Sequence, residues 1–158
     1  MYQNQLGKDW AQSVHEAFQK AVQIGPTNSE VGAAWTAYLL GELYADWPRR
    51  RDFNYMDVGR AIDISPRIEA EELFDDLLVW LKDNCFVAFT QAADGNALDV
   101  ALTEKGFAIL GKKWLETKRS LGAQMKDAAV SAGKDAGRAI VASLVGAMVS
   151  GTITAFKG

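Results

Sequence analysis

The order of elements between Ser65 and Thr103 constrains this chain more than any other feature. The stretch opens S-P-R-I-E-A-E-E, which places Ser65 as a helix N-cap and Pro66 at the first helical position, where its missing N–H costs nothing. Leu73, Leu77, Trp80 and Leu81, flanked by Phe74 and Leu78, recur at helical spacing and predict a wide apolar stripe. Asn84 and Cys85 end that helix, and Phe86 to Thr90 have strand composition. Asp94-Gly95-Asn96 is a hairpin turn signal. Leu98, Val100 and Leu102 alternate with small or polar residues, as one face of a half-buried strand does. Thr103 then caps a further helix, E-K-G-F-A-I-L.

Upstream, Leu6 to Ile24 reads as an amphipathic helix with Trp10, Val14, Phe18, Ala21 and Val22 on one face, stopped by Gly25-Pro26. Thr27 to Ser29 offer caps for a second helix carried by Val31, Ala34, Trp35, Tyr38, Leu39 and Leu43 to about Tyr44, and Trp47-Pro48 ends it. Phe53 marks a short strand, Met56 to Ile62 a short helix, and D-I-S-P a turn. Helix, two-stranded wing, helix is the back half of a winged helix-turn-helix, and the L-T-E-K-G junction at Leu102 to Gly106 resembles the same junction in MarR-like and PadR-like regulators. The resemblance spans about residues 29–118. It implies a mainly α-helical winged helix-turn-helix with a small β-hairpin wing, to which this chain adds an N-terminal helix and a long C-terminal helix. The expected organisation is an N-terminal helix over 1–28, a winged-helix domain over 29–120 and a small-residue-rich helical segment over 121–158.

Composition narrows the chemistry. A formal net charge of −3 supplies no global attraction to nucleic acid. The single cysteine, Cys85, forms no intrachain disulfide and reads as a small buried hydrophobe; the single histidine, His15, has no partner for a two-histidine site. No phosphate loop, nucleophile elbow, H-E-x-x-H or C-x-x-C occurs. The reading is therefore a non-enzymatic protein with no cofactor and no metal. With no basic n-region and apolar run at the N-terminus, the expected location is cytoplasmic.

In winged-helix regulators the resemblance assigns the Ser65 helix to the DNA major groove and basic wing residues to phosphate. Here that helix carries Glu69, Glu71, Glu72, Asp75, Asp76 and Asp83 against Arg67 and Lys82, and no Lys or Arg lies between Lys82 and Lys105. Phosphate neutralisation supplies most non-specific affinity, so DNA binding is disfavoured. The leading reading is recognition of protein by a regulatory, adaptor or immunity-type component, with Glu69, Glu72, Asp75, Asp76 and Phe89 as candidate contacts. The alternative is a dimeric DNA-binding transcriptional regulator using Arg49, Arg50, Arg51, Arg60 and Arg67.

The C-terminal segment adds a further question. Ala139 to Phe156 is 18 residues without a charge, and small residues recur along it, preceded by Gly133-x-x-x-Gly137. Gly133, Gly137, Ser143, Ala147 and Gly151 are the candidate helix-association positions, since small side chains admit a second helix closely. Packing on its own domain, self-association and insertion into a membrane compete for the segment. The resemblance favours self-association.

Overall fold

A computed structural model describes residues 2–23, 25–66, 68–112 and 119–157, with backbone alone for 2–6, 18–23, 135, 136 and 151–157. The described residues are mainly helical, with one small antiparallel sheet. In chain order they form α1 (Tyr2–Gln23), α2 (Asn28–Ala45), β1 (Arg51–Asn54), α3 (Tyr55–Ile62), α4 (Ala70–Asp83), β2 (Val87–Ala88), β3 (Gln91–Ala93), β4 (Asn96–Leu102), α5 (Glu104–Leu110), α6 (Leu121–Ala129) and α7 (Asp135–Lys157).

Helix α2 is the axis of the molecule. Thr27 caps it, its Oγ1 accepting from the Glu30 N–H at 3.1 Å. Val31, Ala34, Trp35, Leu39, Leu40 and Leu43 are buried on more than one side of the helix, because α3, α4 and the sheet pack on one side and α6 and α7 on the other. The contact with α6 needs Gly41, where a Cβ would sit 2.8 Å from the Lys126 backbone. One core joins Trp35, Phe74, Leu78 and Phe86 to Met125, Val141, Leu144 and Met148. Residues 121–157 thus form two helices, α6 and α7, and both contribute to that core. Among the described residues no helix is long and apolar enough to cross a membrane.

Strand β4 lies at the centre of the sheet, antiparallel to β1, β2 and β3. The expected Asp94-Gly95 turn forms, and Thr103 caps α5 by accepting from the Gly106 N–H at 3.0 Å. Gly106 is required there: a Cβ would collide with the carbonyl of Phe86.

Several expectations need correction. Helix α4 starts at Ala70, not after Ser65. Ile64 is buried and its carbonyl accepts from the Trp35 indole N–H at 2.9 Å, which pins the preceding turn onto α2. The chain then reaches α4 through Glu69 in a left-handed conformation (φ 55°), with no side-chain cap. The buried stripe of α4 is Phe74, Leu78 and Leu81, whereas Leu73 and Leu77 are half-buried and Trp80 is 40% exposed. On β4 the buried residues are Ala97 and Val100, and Leu98 is exposed. A bulge lies between the pairs Phe53–Ala97 and Arg51–Val100, with Asp99 at φ 55°, and it breaks the two-residue alternation. The Asp52 carboxylate accepts from the Asp99 N–H at 2.8 Å and holds the bulge in place. Cys85 is exposed: it takes the left-handed turn position after α4 (φ 62°), and the next residue, Phe86, enters the core instead. Every described side chain of α1 from Gly7 to Ala17 is exposed, including Trp10 at 71%.

Candidate functional site

Burying Phe74, Leu78 and Leu81 turns a fixed set of α4 residues outward. Glu72, Asp76, Val79, Trp80 and Asp83 recur at three- and four-residue spacing and are all exposed. Val79 is 47% exposed, which with Trp80 puts an apolar centre between Glu72 and Asp76 on one side and Asp83 on the other. At the N-terminal end of the helix Ile68 and Glu69 are also exposed. Among the described residues Glu69, Glu72, Asp76 and Asp83 have no ion-pair partner.

Other residues of the region are held by the fold itself. The Asp75 carboxylate is half-buried and accepts from the Gly95 N–H at 3.0 Å, tying α4 to the β3–β4 hairpin. Glu71 is half-buried beside that turn. Phe89 is half-buried, with Lys82 Nζ 5.0 Å from its ring centre. Lys105 lies over Phe86 at 5.8 Å and donates to the Asn84 carbonyl at 3.3 Å. Lys82 and Lys105 are thus both placed over aromatic rings at the base of the hairpin. The hairpin itself, residues 91–102, offers Asp94 and Asp99 and no cation.

The arginine candidates separate. Arg51 Nη1 donates to Glu42 at 2.6 Å, lies 3.8 Å from Asp46 and stacks over Phe53 at 5.2 Å. Its charge is used within the fold. Arg49 and Arg50 are exposed, and Arg60, also exposed, is 3.9 Å from Asp57 one turn earlier. Arg67 lies outside the described residues.

An open pocket of about 460 Å³ sits where α3 meets the start of α4, with Tyr55, Met56, Arg60, Ile64 and Ser65 among its lining residues. Met56 on its edge is 48% exposed. Among the described residues no group of three or more His, Cys, Asp and Glu side chains is placed to hold a metal ion. His15 lies exposed on α1. The half-buried Tyr38 has its pKa raised above 10, first by burial and then by the neighbouring Glu42 carboxylate.

The small-residue positions divide between the inside and the outside of the chain. Gly137 is buried against the Ser131 backbone, Ala147 is buried in the core, and Gly133 faces Asp63. Ser143 is exposed on the outer face of α7, and the surroundings of Gly151 lie outside the described residues.

No family model, curated protein or solved structure matches this chain.

Helical spacing alone puts Trp80 on the apolar stripe and does not single out Val79. A 3.6-residue period fixes which residues share a face, but the rotation of that face toward α2 depends on Trp35, whose ring meets Phe74 edge-on at 5.8 Å. The carboxylates Glu72 and Asp76, seven and three positions before Val79, are the available signal: the outward face of the helix has to run through them.

Proposed function

We propose that α2 to α5 and the sheet form a winged helix-turn-helix that recognises protein, in a non-enzymatic regulatory, adaptor or immunity-type component. The order helix, strand, helix, helix, hairpin, helix supports the winged-helix reading, with α3 and α4 as the turn-helix pair and the β3–β4 hairpin as the wing. The observation that carries the functional reading is the outer face of α4. In a DNA-binding use this face would enter a groove between phosphate chains, and it would bring Glu72, Asp76 and Asp83 there without an ion-pair partner. Against protein the same face has the anatomy of an interface: an apolar centre of Val79 and Trp80 inside a charged rim. Arg49, Arg50 and Arg60 remain exposed, and on them rests the second reading, a DNA-binding regulator.

The test is affinity capture from the source cells with the full chain and with the Trp80→Ala and Asp76→Lys variants. Asp76 is exposed, whereas Trp80 is 40% exposed with its ring 6.1 Å from that of Phe86, so circular dichroism is used to check that each variant stays folded. The expected result is a partner retained by the unaltered chain and lost with each variant. A partner retained equally by all three contradicts the assignment to α4.

A further inference from the structure

Helix α3 has two faces. Val58 and Ile62 are buried in the core, while Met56, Gly59, Arg60 and Asp63 recur at three- and four-residue spacing and line the open pocket of about 460 Å³. The opposite wall is the turn into α4. There Ser65 packs over Gly59, whose missing Cβ would collide with the Ser65 Oγ, and Ala70 opens the next helix. The volume falls within the range of small-molecule sites, about 300–1,000 Å³. Met56 and the half-buried Tyr55 and Ala70 give the lining an apolar part, and Arg60 and Asp63 add one charge of each sign. Those two charges are not spent on each other. Among the described residues Arg60 pairs with Asp57 alone, at 3.9 Å, and with both side chains largely in water the pair holds the guanidinium weakly. Asp63 takes the left-handed position that ends α3 (φ 52°), and its carboxylate lies beside Gly133 with no ion-pair partner among the described residues.

We propose that this pocket binds a free α-amino acid with an apolar side chain. The ligand carboxylate accepts from the Arg60 guanidinium, its ammonium donates to the Asp63 carboxylate, and its side chain lies against Met56 and Tyr55. Charge complementarity selects this occupant. A small acid is drawn to Arg60 and repelled by Asp63, and a small amine meets the reverse, whereas a zwitterion satisfies both. An aromatic side chain suits the apolar part, because a thioether packs well against a ring and Met56 is free to adapt its three side-chain torsions. An occupant of this pocket touches both α3 and the start of α4, so it bridges the turn between them. This inference rests on the pocket, not on the assignment of the outer face of α4.

The experiment is an amide NMR titration of the full chain with L-phenylalanine, with phenylpropanoate, which lacks the ammonium, and with phenylethylamine, which lacks the carboxylate. L-phenylalanine is expected to shift the amides of residues 55–65 and 70 saturably, with a dissociation constant of about 1 mM, the order available to a ligand of about a dozen non-hydrogen atoms. Each analogue is expected to bind about 5–10-fold more weakly, as the loss of one partly exposed charge pair predicts. Two variants assign the charges: Arg60→Gln is expected to weaken L-phenylalanine and phenylpropanoate and to leave phenylethylamine unchanged, and Asp63→Asn to do the opposite with the two analogues. Asparagine tolerates the left-handed position of Asp63, and the amide spectrum of each variant shows whether it is folded. No saturable shift at the pocket with up to about 20 mM L-phenylalanine overturns the proposal. Equal affinity for all three compounds overturns the zwitterion as the ligand class, leaving an apolar site only. Saturable shifts that neither variant alters overturn the roles of Arg60 and Asp63.

Discussion

Replacing Trp35 by Phe tests how the turn between α3 and α4 is held. Trp35 is fully buried, its indole N–H donates to the Ile64 carbonyl at 2.9 Å, and its ring meets Phe74 at 5.8 Å. Phenylalanine keeps an aromatic ring but removes the donor. The Ile64 carbonyl, on a residue only 4% exposed, then loses its partner, at a cost of about 1–3 kcal/mol. The smaller ring leaves a void worth about 1 kcal/mol more. The expected destabilisation is therefore about 2–4 kcal/mol. For a chain of 158 residues each kcal/mol lowers Tm by about 2–4 °C, which gives a fall of about 4–16 °C. Urea titration followed by circular dichroism reads the free energy, and limited proteolysis reads the turn, where cleavage between residues 64 and 69 is expected to quicken. A loss below about 1 kcal/mol with unchanged proteolysis would refute the claim that this hydrogen bond anchors the turn.

Three further predictions address other parts of the fold. Met148→Ala in the fully buried part of α7 is expected to cost about 2–5 kcal/mol in denaturant titration, and Ser143→Ala less than about 0.5 kcal/mol; equal effects would contradict the placement of α7 in the core. Asp75→Ala removes the acceptor of the Gly95 N–H and is expected to cost about 0.5–1.5 kcal/mol and to speed amide exchange at Gly95, and unchanged exchange there would contradict the link between α4 and the hairpin. The folded chain holds the Tyr38 proton to a higher pH than the unfolded chain, which releases it near 10. Its contribution is thus complete below pH 10 and lost as pH rises through the folded pKa, so stability is expected to fall above pH 10 and Tyr38→Phe to flatten that fall. Parallel pH profiles for the two proteins would contradict the role of Tyr38.

What the sequence made legible was local. Thr27 and Thr103 cap helices and Asp94-Gly95 turns a hairpin, because each of those geometries is satisfied within a few residues of chain. The misread features were set at a distance. Ser65-Pro66 has the composition of a helix start, but Trp35 on α2 holds Ile64 and delays the helix to Ala70. Leu98 follows the strand alternation until the Asp99 bulge, held by Asp52 on the neighbouring strand, turns it outward. Arg49, Arg50 and Arg51 are consecutive in sequence and equivalent as DNA candidates there, yet Glu42 on α2 pairs with Arg51. The candidate surface was legible in part: the carboxylates of α4 stood out by charge, and Val79 and Trp80 did not, because their exposure follows from the rotation of α4 against Trp35 and Phe74.

The measurement that tests the central claim most directly is fluorescence anisotropy of a labelled random-sequence duplex titrated with the full chain at 50 and 200 mM salt. Non-specific DNA binders show dissociation constants of about 10⁻⁴–10⁻⁶ M at physiological salt and bind far more tightly at low salt. The acidic outer face of α4 and the cation-free hairpin predict no binding at up to about 100 μM protein, even at 50 mM salt. Salt-dependent binding in that range, abolished by replacing Arg49, Arg50 and Arg60 with alanine, would contradict the account and place a DNA-binding surface at the approach to β1 and on α3.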